Sequence, residues 1–202
     1  MKEVILCFLT LVFLSSCGST RITSSWREPN KQLVINNLSK VLVVALFKSE
    51  TSRHKAEDEM VRYLNGRGVV SYNYLNDNFN TKSEEAIHEK ISVDGFDGAI
   101  TMRLIDVEQE KSYSYGNNSF YSPFSQSFGG YYLSNLSFYS NPTYYFTTKI
   151  YTVETNVYSI KEKKIIWTGL TETVDPEGVD KMTSEIAKVV YKKMIQEGFI
   201  KK

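Results

Sequence analysis

Hydrophobic and polar positions follow three rhythms along this chain, and each rhythm assigns an element. Val4 to Leu14 is an apolar run of eleven residues behind the basic Lys2. That is about half of the ~20 residues a helix needs to span a bilayer, so it reads as a signal-peptide core and not a membrane anchor. Val41 to Phe47 is apolar throughout and rich in β-branched residues, the mark of a short strand buried on both faces. Thr51 or Ser52 then offers a helix N-cap, and Ala56, Met60, Tyr63 and Leu64 recur at the spacing of one helical face. Asn65, Gly66 and Gly68 end that helix. Val69 to Leu75 alternates into a second strand, which completes a right-handed parallel βαβ unit.

Thr81 and Glu84 have the spacing of a capping box, predicting a short helix that carries Ile87 and Ile91 and closes at Asp94-Gly95. From Ala99 to Glu110, Thr147 to Ile160 and Ile165 to Thr173 the period is two. That predicts a long strand followed by a hairpin turning at Lys161 to Lys164. Asp175 and Pro176 start a last helix, with Val179, Met182, Ile186, Val189 and Val190 on its inner side. Gly198 ends it, and Phe199 and Ile200 fold back. The pattern predicts an α/β fold, a mixed sheet of about five strands with three helices in the order β-α-β-α-β-β-β-α, parallel early and antiparallel late.

Gly18 to about Ser39 lacks a sustained apolar period and is rich in Ser, Thr and Asn, so residues 17–39 read as a tether and 40–202 as the folded domain. Trp26 is the exception in the tether and is expected to dock on its own domain. Ahead of it, Leu14, Ser15, Ser16 and Cys17 resemble the lipobox of bacterial lipoproteins, in which the cysteine is lipidated and the signal, here residues 1–16, is removed. The resemblance implies a partner before any other, the membrane, through lipid on Cys17. Each buried methylene contributes ~0.8 kcal/mol, so a second acyl chain turns marginal holding into stable anchoring. Gly18 and not Asp follows the cysteine, and no acidic cluster lies just beyond it. In lipoproteins generally this resembles outer-membrane sorting with the domain facing the periplasm.

Cysteine usage then narrows the chemistry. Cys7 leaves with the signal and the sulfur of Cys17 is taken by lipid, so the remaining 186 residues hold no free thiol, no disulfide and no cysteine metal site. Stability must come from a buried core, for which the length suffices. Lys and Arg total 24 against 23 acidic residues, a balance that favours neither nucleic acid nor an anionic surface.

A wider resemblance rests on Gly95-Phe96-Asp97-Gly98 leading a strand, on Ile165-Ile166-Trp167-Thr168-Gly169 in the last hairpin, and on the terminal helix. With the lipobox these resemble a family of uncharacterised bacterial lipoproteins whose globular part is similar to the N-terminal domain of TolB and to the periplasmic α/β domain of CsgG. The resemblance implies a fold from Lys40 onward and brings no catalytic residue with it.

Between Lys111 and Lys149 there is no charged residue, and Ser112 to Thr148 holds eight of the fourteen tyrosines and five of the eleven phenylalanines. An insertion this long in a domain is a functional segment or an irregular one. One reading is a loop with some local strand. A second is a recognition surface for an envelope protein partner, since Tyr, Ser, Gly and Asn dominate binding loops; its candidate contacts are Tyr113, Tyr115, Phe120, Tyr121, Phe124, Phe128, Tyr131, Tyr132 and Tyr139. The third is a membrane hairpin, which the likeness to the secretion lipoprotein CsgG implies together with a role as a secretion-channel accessory component, and against which stand Pro123 and the polar Ser122 and Gln126 between Phe120, Phe124 and Phe128.

Catalytic chemistry finds little support. His54 and His88 lie beside charged neighbours in separate helices and read as solvated. There is no Gly-x-Ser-x-Gly, no phosphate-binding glycine loop and no His-Glu-x-x-His, so no cofactor or metal is expected. Asp94-Gly95-Phe96-Asp97-Gly98 reads as a turn and not a calcium loop. The remaining carboxylates, Asp106, Glu154 and Glu172, lie in strands. Glu154 and Glu172 are expected on one sheet face near Arg103, where they form either cross-strand ion pairs or the acid pair of a glycan hydrolase. The first of these readings makes the chain a noncatalytic binding protein of the envelope.

Overall fold

Strict alternation builds the centre of the molecule. In the computed structural model, which describes residues 19–34, 37–75, 83–114 and 144–201, β3 (Val41–Leu46) sends Val41, Val43 and Ala45 to one face and Leu42 and Val44 to the other. Both sets are covered, because helices lie on both sides of this strand. A six-stranded sheet runs in the order β1-β7-β6-β5-β3-β4, with β1 at Thr20–Arg27, β4 at Gly68–Val70, β5 at Gly98–Ser114, β6 at Tyr144–Ser159 and β7 at Lys164–Val174. β3 is parallel to β4 and β5, and the other pairings are antiparallel. A second, two-stranded sheet joins β2 (Leu33–Val34) to β8 (Ile200–Lys201).

The main core lies between the sheet and two helices, α1 (Glu50–Val61) and α4 (Val179–Gln196), and includes Met60, Met102, Val153, Trp167, Ile186, Val190 and Phe199. A smaller core on the opposite face, with Leu42, Ile91, Phe96, Ala99 and Ile160, sits under α3 (Glu84–Val93). The sheet is therefore sandwiched at its β3 and β4 end and open on one face toward β1. Trp167 is fully buried and donates its indole N–H to Glu197 at 2.8 Å. Its ring lies over Gly169, where an added Cβ would come within 2.3 Å of it, so the Trp-x-Gly spacing is a packing requirement.

The mixed α/β architecture matches the sequence pattern, and its differences have physical causes. Six strands replace the expected five in the main sheet because residues 20–27, expected within a tether, form β1 against β7. The backbone of Trp26 is thereby docked opposite Thr168 while its side chain is 46% exposed. Val69 to Leu75 forms a strand only as far as Val70; Ser71–Tyr74 turns into a short helix, α2, so that the described residues hold four α-helices where three are expected. Its first N–H groups, at Ser71 and Tyr72, donate to the carboxylate of Glu57 at 2.6 and 3.2 Å, a partner from another element that local alternation does not reveal. Helix starts also move: α1 is capped by Ser49, α3 by Ser83, and α4 begins after Gly178, beyond Pro176. Thr81 falls outside the described residues. Gly198 with φ +66° closes α4, and Phe199 and Ile200 turn inward as the pattern predicts.

Candidate functional site

One end of the sheet carries the start of β1 and the edges of the aromatic segment. Along the row Thr20, Thr173, Tyr151 and Val107, four strands lie in register. Here Ser19 is fixed before β1 begins: its carbonyl accepts from Val174 N–H at 3.1 Å and its hydroxyl donates to Glu185 at 3.0 Å. The Thr20 hydroxyl donates to the same carboxylate oxygen at 3.0 Å and so accepts from Thr173, 2.9 Å away. At the other end of β1, Ser25 donates to Glu197 at 2.5 Å. Five strand residues and twelve helix residues separate these two clamps, ~17 and ~18 Å respectively, so β1 and α4 run side by side in one direction.

Beyond that row β5 and β6 leave the body of the sheet and continue as a two-stranded ribbon. Glu108 pairs with Ile150, Glu110 with Thr148, Ser112 with Phe146, Tyr113 with Tyr145 and Ser114 with Tyr144. The edges of the 112–148 insertion are thus antiparallel strand, and Tyr113 holds a ribbon position. Tyr115, Phe120, Tyr121, Phe124, Phe128, Tyr131, Tyr132 and Tyr139 lie outside the described residues, as do Leu14, Ser15, Ser16 and Cys17.

The strand carboxylates fall on one face as expected, Glu154 opposite Leu170 and Glu172 opposite Thr152. Each is engaged by its own cation: Arg103 reaches Glu154 at 3.2 Å and Arg21 reaches Glu172 at 2.9 Å. Arg21 lies in the stretch whose composition reads as a tether, so no strand pattern points to it. Asp106 accepts from the N–H of Val107 at 2.8 Å, at the bulge between Leu104 and Asp106. This is the arrangement of cross-strand pairs on an open face, without an unpaired acid and base facing one another.

The histidines lie on opposite sides of the sheet, on α1 and α3. His54 is exposed and packs tilted against Tyr72, the ring centroids 3.9 Å apart. His88, expected to be solvated, is instead half-buried and donates from Nε2 to the carbonyl of Ile160 at 2.7 Å. In the Asp94 to Gly98 turn, Asp94 accepts from the hydroxyl of Tyr74 at 2.5 Å and from Lys90 at 2.9 Å. The hydrogen bond from Tyr74 leads in holding Asp94 below the usual carboxylate range. Asp97 accepts from the N–H groups of Ser39 and Lys40. Both acids are committed to backbone and side-chain donors, and no cluster of three or more metal-binding side chains occurs among the described residues.

Sequence reasoning did not anticipate a cavity of about 220 Å³ at the other end of the sheet, walled by Leu33, Leu38, Met60, Tyr63, Tyr191 and Phe199. Two of these residues come from the stretch read as a tether, so no periodic signal pointed to it.

No family model and no curated protein matches the chain. It is similar to solved structures at low identity. A PelC dodecamer from Paraburkholderia phytofirmans is 8% identical with a TM-score of 0.46, over 85% of this chain and 95% of that one. Lipoprotein GNA1162 from Neisseria meningitidis is 8% identical with a TM-score of 0.40, over 78% and 99%. A minor lipoprotein from Acinetobacter baumannii is 12% identical with a TM-score of 0.32, over 77% and 94%. These are likenesses of chain path alone.

Proposed function

We propose that this protein is a noncatalytic lipoprotein of the bacterial cell envelope, anchored by lipid on Cys17, whose aromatic ribbon makes contact with an envelope partner. The reading includes the lipobox at Leu14, Ser15, Ser16 and Cys17, outer-membrane residence facing the periplasm, and the family likeness stated for Gly95-Phe96-Asp97-Gly98 and Ile165 to Gly169. The observation that carries it is the fixing of Ser19, two residues after Cys17, on Val174 and Glu185. With so short a connection a lipid on Cys17 holds the domain against the surface, an arrangement suited to binding at that surface. The hydrolase reading has no observation in its favour, since Glu154 and Glu172 are each neutralised by a separate arginine.

The test is metabolic labelling with palmitate in a bacterium that processes lipoproteins. The wild-type chain is expected to take up label and to sediment with membranes, and Cys17→Ser to lose both. Label retained by Cys17→Ser would overturn the anchor.

A further inference from the structure

The lipidated end and the aromatic ribbon leave the domain on the same side, and the register sets their relative reach. From the row of Thr20, Thr173, Tyr151 and Val107, the chain ahead of Thr20 reaches Cys17 in three residues, ~10 Å if extended. Helix α4 has Glu185 at that row through its bond to Thr20, so its first residue, Val179, lies ~9 Å beyond on the same side. The end of the domain body at Val179 and the reach of the three residues ahead of Thr20 are therefore about equal. The ribbon does not end there: from Val107 to Ser114 it advances seven residues, ~24 Å along the strand.

The charge pattern changes where this reach is passed. Glu110 lies three residues past the row, as many as separate Thr20 from Cys17 along the chain, and Lys111 is one residue further. From Ser112 onward on β5, and from Tyr144 to Thr148 on β6, no residue is charged. The three outermost pairs bring together Ser112 with Phe146, Tyr113 with Tyr145 and Ser114 with Tyr144. Uncharged tyrosine-rich positions are those that suit the boundary between water and hydrocarbon, whereas charge is costly below it. A two-stranded ribbon has open backbone edges, which forbids it from crossing the hydrocarbon.

We infer that the outer ribbon, Ser112–Ser114 with Tyr144–Phe146, lies in the interfacial layer of the bilayer that holds the lipid on Cys17, as a second membrane contact. This rests on the anchor proposed above and names lipid as the first partner of the ribbon. Two contacts fix orientation where one lipid leaves the domain free to swivel. The end of the sheet near Ser39, Lys161 and the cavity then faces away from the membrane.

The experiment uses the full lipidated chain in vesicles of phosphatidylethanolamine and phosphatidylglycerol. Phe146→Cys carries an environment-sensitive fluorophore, the lipid on Cys17 leaving that thiol as the single labelling site. Thr147→Cys serves as a second position should the first variant not fold, and Lys161→Cys at the opposite end is the reference. The expected result is a blue shift and quenching by brominated lipids at 146 or 147, with no change at 161. Label at the ribbon that floats with the vesicles yet remains unquenched would overturn the inference and leave the anchor standing. Chain that does not float, with Cys17 unmodified by mass spectrometry, would overturn both. A photo-crosslinker at Tyr145 that captures protein and no phospholipid in cells would also overturn the lipid assignment.

Discussion

Thr155 is fully buried in the middle of β6, between Met102 and Gly169, and its hydroxyl has no partner among the described residues. An orphaned buried polar group costs about 1–3 kcal/mol, while an apolar group of the same outline costs nothing of the kind. Thr155→Val should therefore raise the stability of the domain by about 1 kcal/mol, read as a higher urea midpoint at unchanged m-value. A lower midpoint would show that the hydroxyl is satisfied. At this scale the sequence speaks unevenly. The pairing of Trp167 with Gly169 stands out as a motif, but the reason for it, an indole lying across the missing side chain, appears only when the strand is folded.

Glu57 joins three elements. It is fully buried on α1 and accepts from Ala45 N–H on β3 at 2.9 Å, from Ser71 N–H and Tyr72 N–H on α2, from the Ser71 hydroxyl at 2.7 Å and from Arg53 at 3.3 Å. Glu57→Ala would leave several buried donors unsatisfied and take the counter-charge from Arg53, whose guanidinium keeps, among the described residues, only the Ser71 hydroxyl at 2.9 Å, a loss of about 3–5 kcal/mol. Chemical denaturation should show it, with amide exchange quickening first at Ala45 and Ser71. Equal protection in wild type and variant would refute the role. The nearby phenol of Tyr72 donates to Asp58 at 2.7 Å, and this hydrogen bond first, with burial second, pushes its pKa up to about 12.

How legible an element was depended on how local its cause is. β3, β5, β6, β7 and α4 announce themselves through period, because each buries a regular stripe against the core. β1 does not: Thr20 to Arg27 is an edge strand whose outward side meets solvent and whose inward side offers Thr20 and Ile22, so its composition is that of a linker. For the same reason the fold was readable while the site was only partly so. Tyr113 could be named from composition, but that the ribbon leaves the domain on the same side as Ser19 follows from β1 being a strand, which the pattern concealed as it concealed α2.

For the molecule as a whole, acid is the condition that loosens the joint between β1, β7 and α4. Burial works to raise the pKa of Glu197, and hydrogen bonds from Ser25, Trp167 and Lys193 outweigh it, so the folded value lies below the ordinary 4.5. The native state therefore binds fewer protons than the unfolded chain through this range, and stability rises with pH there. The contribution is complete above the ordinary carboxylate value and is lost as pH falls through the depressed one. Melting temperature should decline on acidification below about pH 4.5, and Glu197→Gln should show a shallower decline from a lower plateau. Parallel declines in the two proteins would assign the acid sensitivity to other carboxylates.

The placing of β1 has a mechanical consequence. Its hydrogen bonds to β7 lie across the strand direction, and the chain enters at Thr20 along that direction. A pull from the side of Cys17 therefore does not peel the strand away bond by bond. It loads the whole β1–β7 ladder at once in shear, together with the clamps of Ser19 and Thr20 on Glu185 and of Ser25 on Glu197. A domain hung by this end would resist tension through all of those bonds together, so that the strand which looks least like structure in the sequence is the one that bears the load.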